Sequence, residues 1–528
     1  MISMEEREPA RLQLQHSLDT AKTPAERNRL GQFATPQELA SEIVGHAMSL
    51  LEPGLSIRFL EPGFGTGPFY SALLRHVPAS RIGVAAGYEI DPHYAEPARQ
   101  LWEGAGLRLE TADFTKAEPP KAEAARYNLV VCNPPYIRHH HLSQTQKRRL
   151  QAAVARHLTF QMNGLSGMYA YFMLLSQAWM AKDGVGAWLI PSEFMDVNYG
   201  RRVKQFLTET VTLQRIHRYD PHEVQFDDAL VSSAVVFFTN SPPPGGHEVE
   251  FTFGGTVDKP RVSDSVGIED LRHVPKWTAL PQSNPGLNRQ RNSVTLADLF
   301  TIKRGLVTGH NSFFVLRPEQ ARALDLPREF LRPILPSPRE VETDEILADQ
   351  DGEPQIAERR YLLSCSLPES VVRSTHATLW EYLQRGIEEG VHERYLCRHR
   401  KPWYCQETRP PAPFLCTYMG RSTLRSASPF RFILNHSQAT AANVYLMLYP
   451  KPVLAEWLAD DPALHRAVWK ALSSITAEAL MGEGRVYGGG LHKLEPGELA
   501  NVPADAVMDA ILPGRERGLC RQLELFAG

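Results

Sequence analysis

Ser56-Ile57-Arg58-Phe59-Leu60-Glu61-Pro62-Gly63-Phe64-Gly65-Thr66-Gly67-Pro68 changes character twice within a few residues. Ser56 to Leu60 is short and largely apolar, and predicts a buried strand. Gly63 to Gly67 predicts a tight turn, because glycine adopts backbone conformations denied to other residues and lets the chain approach a ligand closely. Pro68 to His76 predicts a helix with proline at its first position. Alone, such a loop is as readily a plain structural turn. It lacks Gly-x-x-x-x-Gly-Lys-Ser/Thr, which argues against a cradle for nucleoside triphosphates.

The pattern repeats on both sides of this stretch. Residues 39–51 carry apolar side chains at helical spacing after Thr35-Pro36. Arg81 to Ile90 predicts a second strand, Tyr94 to Gly104 a helix, Leu107 to Ala112 a third strand and Tyr127 to Cys132 a fourth. Met168 to Ala181 predicts a helix and Gly186 to Pro191 a fifth strand. Arg201 to Glu209 predicts a helix, with final strands at Leu213 to Tyr219 and Leu230 to Thr239. Strands alternating with helices predict a parallel, doubly wound α/β sheet of Rossmann-like form.

After Thr239 the alternation stops. Asn240 to Gly246 and Pro281 to Asn292 are turn-rich. The expected division is an N-terminal extension (1–30), an α/β domain (31–240), a connecting segment (241–289) and an irregular α+β domain (290–528). In the last, Pro452 to Ala459 and Leu464 to Leu472 predict helices.

The chain has 528 residues, a net charge of -3, 43% hydrophobic and 22% charged residues, which places it among ordinary globular proteins of more than one domain. Basic surface for nucleic acid must therefore be local. Six cysteines make no disulfide framework and point to a reducing compartment. Met1 to Asn28 has no apolar core of a signal peptide. Lys182-Asp183-Gly184 interrupts the most apolar stretch, Met168 to Ile190, so no membrane span is expected. The expected location is the cytoplasm.

The chemistry gathers at the predicted C-terminal strand ends, where open α/β sheets bind ligands. Glu89 ends the second strand about 20 residues past the glycines, a position suited to ribose hydroxyls. Asp113 and Phe114 follow the third and suit an adenine amine and ring. Asn133-Pro134-Pro135-Tyr136 closes the fourth. It offers an amide oxygen, a rigid turn and an aromatic plate, which suit the grip of a planar exocyclic amine. A plain Pro-Pro turn is the bland alternative, and each residue singly is more often structural than functional.

Together these stretches resemble the catalytic domain of class I S-adenosylmethionine-dependent DNA amino-methyltransferases, over residues 31–240. The motif order is similar to the gamma class of adenine-N6 enzymes, the TaqI-type and PstI/BsuBI-type modification methylases. Gln32-Phe33-Ala34-Thr35-Pro36 resembles the motif over the methionine part of the donor. The resemblance implies donor contacts from Thr35, Glu61, Gly63, Gly65, Gly67, Glu89, Ile90, Asp113 and Phe114. It implies a catalytic set of Asn133, Pro134, Pro135 and Tyr136, with Phe226 as a second aromatic against the base. A base flipped from duplex DNA is the implied substrate. The resemblance implies a separate cognate restriction endonuclease as partner; a fused nuclease is not expected, because there is no room for one before Gly31 and no Pro-Asp…Glu-x-Lys pattern in the C-terminal half.

Leu299 to Asn311, Arg400 to Tyr404, Phe432 to Asn435 and Tyr487 to Leu494 resemble landmarks of the family's target-recognition region. Arg394 to Arg431 is rich in arginine, with Trp403, Tyr404, Phe414, Tyr418, Phe430 and Phe432 near or among them. The expected DNA contacts are Lys303, Arg304, Arg398, Arg400, Lys401, Trp403 and Arg421, against the bland reading of a solvated arginine loop. Cys397, His399, Cys405 and Cys416 do not match paired zinc-ligand spacing, so no metal is expected. His139-His140-His141 reads as a loop near DNA. Other acceptors stay open: cytosine N4, an RNA base or a protein glutamine amide. So does a non-catalytic DNA-binding subunit.

Overall fold

The computed structural model describes residues 4–220, 232–274, 276–280, 294–422, 428–487 and 490–511. The chain divides into two compact units, Met1–Leu287 with Tyr487–Gly489, and Asn288–Val486 with Gly490–Gly528.

The first unit is doubly wound and Rossmann-like. Helices α1 (Met4–Thr20), α2 (Pro24–Leu30) and α3 (Gln37–Ser49) lead into β1 (Ile57–Glu61), α4 (Pro68–His76), β2 (Ile82–Glu89), α5 (Pro92–Leu101) and β3 (Leu107–Thr111). The chain then forms β4 (Tyr127–Cys132), α6 (Gln144–His157), α7 (Met168–Ser176), β5 (Met180–Pro191), α8 (Arg201–Gln205), β6 (Thr212–Arg218), β7 (Ser233–Thr239), β8 (Glu248–Gly255) and β9 (Pro260–Gly267). The nine strands lie in the order β3-β2-β1-β4-β5-β7-β6-β8-β9. Winding reverses between β1 and β4, which opens a crevice at their C-terminal ends.

Alternate residues of each strand serve opposite faces. Phe59, Leu129 and Val131 pack with Ile43, Val44 and Leu73 of α3 and α4. Leu60, Val130 and Cys132 pack with Leu150, Val154 and Met173 of α6 and α7. Burial on both faces explains why these strands read as unbroken apolar runs.

Three expectations are corrected here. The sheet is not wholly parallel, because β7 runs antiparallel to both β5 and β6. The sequence predicts no helix between β6 and the Leu230–Thr239 stretch to carry a parallel crossover. The helix expected over Met168 to Ala181 stops at Ser176, and β5 already begins at Met180. Residues 241–289 are not merely a connection: β8 pairs in parallel with β6 and β9 antiparallel with β8, so both extend the sheet.

His217 of β6 is fully buried, with Nδ1 2.9 Å from the Thr252 hydroxyl. Burial, reinforced by the Arg215 charge, pushes its imidazole down from 6.5 to about 4. Between those values the unfolded chain binds the extra proton. Stability is therefore full above pH 6.5 and falls with acidification, by about 2 kcal/mol near pH 5. Urea unfolding of wild type and His217→Gln should show that the wild type loses about this much more between pH 7.5 and 5.

The second unit centres on a five-stranded sheet. Its strands lie in the order Phe300–Arg304, Tyr445–Pro450, Phe414–Thr417, Phe432–Asn435, Glu345–Ile346. Leu434, Leu446 and Leu448 pack against Leu454 and Leu458 of the helix Pro452–Asp460, and against Val468 and Leu472 of the helix Pro462–Ser473. Both helices fall where the sequence predicts them. A smaller sheet joins Val315–Leu316, Arg360–Leu363, Leu331–Leu335 and Thr440–Ala441. The regular sheets exceed what short polar-looking stretches suggest, because each strand is only two to six residues long and gives little periodicity. Among the described residues no helix is long and apolar enough to cross a membrane.

Candidate functional site

The glycine turn sits at the mouth of the crevice. Gly65 and Gly67 have φ of 54° and 81°. At Gly67 a Cβ would lie 2.4 Å from the Phe64 ring, whereas at Gly65 it would meet nothing within 4 Å. Gly67 is thus required by packing, while the space over Gly65 is open for a ligand. Phe64 is fully buried and fills the floor of the turn.

Two carboxylates brace this loop. Glu89 accepts from the backbone N–H of Gly65 through Oε2 and of Asp91 through Oε1, each at 2.9 Å. Glu61 is fully buried. Its Oε2 accepts from the N–H of Tyr70 at 3.1 Å, in the first turn of α4, and its Oε1 has no partner among the described residues. Burial pushes both carboxyls above the ordinary range, that of Glu61 well above it. Ile90 is 62% exposed beside Glu89, an apolar side chain left at the rim.

Asp113 caps the turn after β3, accepting from the N–H and hydroxyl of Thr115 at 3.0 and 2.6 Å, with Arg149 of α6 3.5 Å away. Phe114 departs from the expectation of an open stacking plate. It is 2% exposed and packs among Tyr88, Phe172 and Trp179.

Asn133 is the best-defined group of the site. Its Nδ2 donates to the Phe33 carbonyl at 3.0 Å and to the Thr35 hydroxyl at 3.1 Å. The carbonyl at Phe33 can only accept, so the amide nitrogen must face it. Oδ1 then points away, buried and without a partner among the described residues. The segment before α3 is held close by Gly31 (φ 64°), whose carbonyl accepts from the Tyr136 N–H at 3.3 Å. A Cβ at Gly31 would lie 2.4 Å from that nitrogen. Gly63 lies against the Asn133 carbonyl more loosely, a Cβ there falling 3.4 Å from it, in ordinary van der Waals contact. The glycine turn, residues 31–35 and Asn133 to Tyr136 therefore form one assembly. Tyr136 is half-buried, donates its hydroxyl to the Leu189 carbonyl at 3.1 Å, and has Phe33 5.8 Å away between ring centres. Burial pushes its phenol far up, so it stays neutral. Phe226 lies outside the described residues.

The N-terminal extension belongs to this assembly too. Arg11 of α1 is 1% exposed, donates to the Thr66 hydroxyl at 3.2 Å and pairs with Glu8 at 2.7 and 2.8 Å. Lys22 and Gln32 both donate to Asp91, next to Glu89. Sequence reading missed these contacts, because a buried arginine looks like any surface arginine in an amphipathic helix. It missed α6 as well, although Ser143 and Gln146 carry the spacing of a capping box and form one.

In the second unit the expected cations separate. Arg400 donates to the carbonyls of Thr308 and Val307 at 2.7 and 2.6 Å. Arg304 donates to the Asn443 carbonyl at 3.1 Å and lies over the Tyr418 ring. Trp403 packs among Phe313, Phe314 and Tyr404. These three brace the fold. Lys303, Arg398, Lys401 and Arg421 are exposed. The aromatics near the arginines are mostly core: Tyr404, Phe414, Tyr418, Phe430 and Phe432 are each at most 5% exposed. Cys416 lies within the five-stranded sheet and Cys397 is buried beside Gly309.

Two family descriptions match the sequence. Residues 96–225 match the Eco57I restriction-modification methylase family, and residues 285–515 match the C-terminal domain of Type II methyltransferase M.Eco57I. The chain is 26% identical over 490 residues to Type II methyltransferase M.AccI of Acinetobacter calcoaceticus, covering 90% of this chain and 85% of that protein. It is 24% identical to M.XamI of Xanthomonas campestris pv. amaranthicola, covering 94% and 89%. In fold it is similar to a cryo-EM structure of a DrdV–DNA complex, with a TM-score of 0.51, 15% identity, 90% of this chain and 55% of that chain covered. This chain thus spans about half the length of DrdV. With two family matches and similarity to M.AccI and M.XamI over nine-tenths of its length, the chain is similar to the Type II restriction-modification methyltransferases of the Eco57I kind.

Proposed function

We propose that the chain is a site-specific DNA adenine-N6 methyltransferase that uses S-adenosylmethionine and acts as the modification component of a restriction-modification or phage-defence system. The unpartnered Oδ1 of Asn133, fixed by two hydrogen bonds on the other side of the same amide, carries this reading. A buried acceptor left open is costly unless it has a ligand to serve.

The residues fit the donor. Glu61, with a buried unpartnered oxygen, suits its cationic end. The open space over Gly65 admits it, Glu89 suits the ribose hydroxyls, Ile90 the purine face and Asp113 the adenine amine. When bound, the donor supplies an electrophilic methyl group. Phe114 supports this pocket from below rather than stacking in it.

An exocyclic adenine amine is a poor nucleophile because its lone pair is delocalised into the ring. Asn133 Oδ1 and the Pro134 carbonyl would accept its two hydrogens and draw the nitrogen toward tetrahedral geometry. Pro134 and Pro135 fix the turn, since proline's φ is locked. Tyr136 offers an apolar plate to the base. No general base acts before attack, because the proton becomes acidic as the new bond forms. The acceleration comes from positioning and from preorganised dipoles.

A base within a duplex must be flipped to reach this site, at a cost of a few kcal/mol. Residues 290–528 would grip the DNA in compensation. Lys303, Arg398, Lys401 and Arg421 are the exposed phosphate contacts in this reading, with Arg304, Arg400 and Trp403 as their supports. A separate endonuclease of the same specificity would be the partner.

Thr35 is a positioning residue here. Thr35→Val leaves Asn133 Nδ2 with one acceptor and should slow turnover about threefold to tenfold, while Thr35→Ser restores it. Single-turnover methylation with each variant measures this. The reading as a whole is tested by long-read sequencing of DNA from cells that express the chain. Modified adenine at one recurring motif supports it, and unmodified DNA or modified cytosine opposes it.

A further inference from the structure

The second unit holds a cleft of about 730 Å3 between Val307–Ser312 and Arg394–Leu396, with Asn443 at its edge. Both walls are held from behind. Arg400 binds the carbonyls of Val307 and Thr308. Gly309, at φ 91°, approaches so closely that a Cβ would lie 2.9 Å from Cys397 Sγ. Gly305 is pressed against the Ala442 carbonyl, where a Cβ would lie 2.1 Å away. The cleft is therefore preformed.

Its lining is rich in donors. The exposed Arg394 guanidinium has no partner among the described residues. Asn311 Oδ1 already accepts the Thr308 hydroxyl at 2.6 Å, which leaves its NH2 to be offered. His310 Nδ1 is 3.0 Å from the Ser312 hydroxyl, which leaves Nε2. Tyr395 is 69% exposed, with the Arg398 guanidinium 5.3 Å over its ring. A phosphate would also accept from the guanidinium and the amide, but it has no use for an exposed aromatic ring beside them. A base edge with two acceptors takes both donors while the ring meets the next nucleotide, and guanine presents N7 and O6 in the major groove.

We propose that this cleft reads a guanine of the recognition sequence, Arg394 and Asn311 donating to its N7 and O6 edge while Tyr395 packs on a neighbouring nucleotide. The proposal rests on the reading of the chain as a DNA methyltransferase. Arg400 sets the cleft's shape and does not itself touch DNA.

The test is selection of duplexes from a random pool by the purified full-length chain, followed by sequencing. Wild type is compared with Arg394→Ala, Asn311→Ala and Tyr395→Ala, all changes of exposed side chains. The expected result is a wild-type motif containing guanine, and a preference at that one position that falls about tenfold to hundredfold in Arg394→Ala. Asn311→Ala should relax the same position. Weaker binding to all sequences, with the motif intact and a shallower salt dependence, would show a phosphate contact and overturn the proposal. So would a wild-type motif without guanine, or no motif. Selection needs no methyl transfer. A chain that selects a motif yet methylates nothing therefore defeats the reading as an enzyme and leaves the cleft's role standing.

Discussion

Asn133→Ala lowers the rate of methyl transfer by about 10^2- to 10^3-fold, the loss expected when one preorganised dipole is removed from a reacting group. Binding of S-adenosylmethionine survives. The substitution removes an oxygen that has no partner in the fold, so nothing in the protein is left unsatisfied on that side. The Phe33 carbonyl and the buried Thr35 hydroxyl lose a donor, but neither belongs to the glycine turn. The close approach of Gly31 to Tyr136 and of Gly63 to the Asn133 carbonyl involves backbone only, and the substitution preserves it. The loss therefore falls on turnover, not on donor affinity. Asn133→Asp separates an oriented oxygen from any oxygen. A carboxylate cannot donate to the Phe33 carbonyl and would be turned away from it, so Asp should be nearly as slow as Ala. Single-turnover rates with saturating donor, beside calorimetric titration of the donor, measure both parts. Near-native turnover in either variant would remove Asn133 from the mechanism.

Arg11→Met should destabilise the first unit by about 3–5 kcal/mol, the cost of leaving one member of a buried ion pair alone. Burial works against the Glu8 carboxylate. The hydrogen bonds of Arg11 and Ser71, together with the guanidinium charge, more than offset it, and its carboxyl lies below the ordinary range. Without Arg11, the Ser71 hydroxyl and the charge of Arg75 remain on that carboxylate, and Thr66 keeps only its bond to Gln15 of α1. The double variant Glu8→Gln with Arg11→Met should be less destabilised than Arg11→Met alone, because it removes the stranded charge. Urea unfolding midpoints of the two single variants and the double give the coupling. A midpoint unchanged by Arg11→Met would show that the Arg11–Glu8 pair does not help hold the glycine turn.

The difference between what sequence shows and what it hides is visible in these same residues. The strand, turn and helix around Gly63 to Gly67 were legible because glycine, proline and apolar runs act locally. Asn133 to Tyr136 was legible because four rare properties sit side by side. Its partners were not. Phe33 and Thr35 lie about 100 residues away, and only the path of the chain brings them to the amide. Burial was equally hidden: Phe114 and Trp403 looked like plates for bases, yet the first fills the interior and the second packs half-buried against Phe313. An arginine's sequence context does not say whether it faces solvent or a carbonyl. Arg398 and Arg400 are near neighbours with opposite roles, the first exposed and the second bound to Val307 and Thr308. The strands β8 and β9 escaped notice because only half of β8 and none of β9 is buried, and a turn-rich stretch precedes them.

The base itself is the central claim. Duplex DNA incubated with the purified full-length chain and methyl-labelled S-adenosylmethionine can be digested to nucleosides and separated by mass. The label should appear in N6-methyldeoxyadenosine and vanish with Asn133→Ala. Label in N4-methyldeoxycytidine, or undiminished label with Asn133→Ala, would contradict the account.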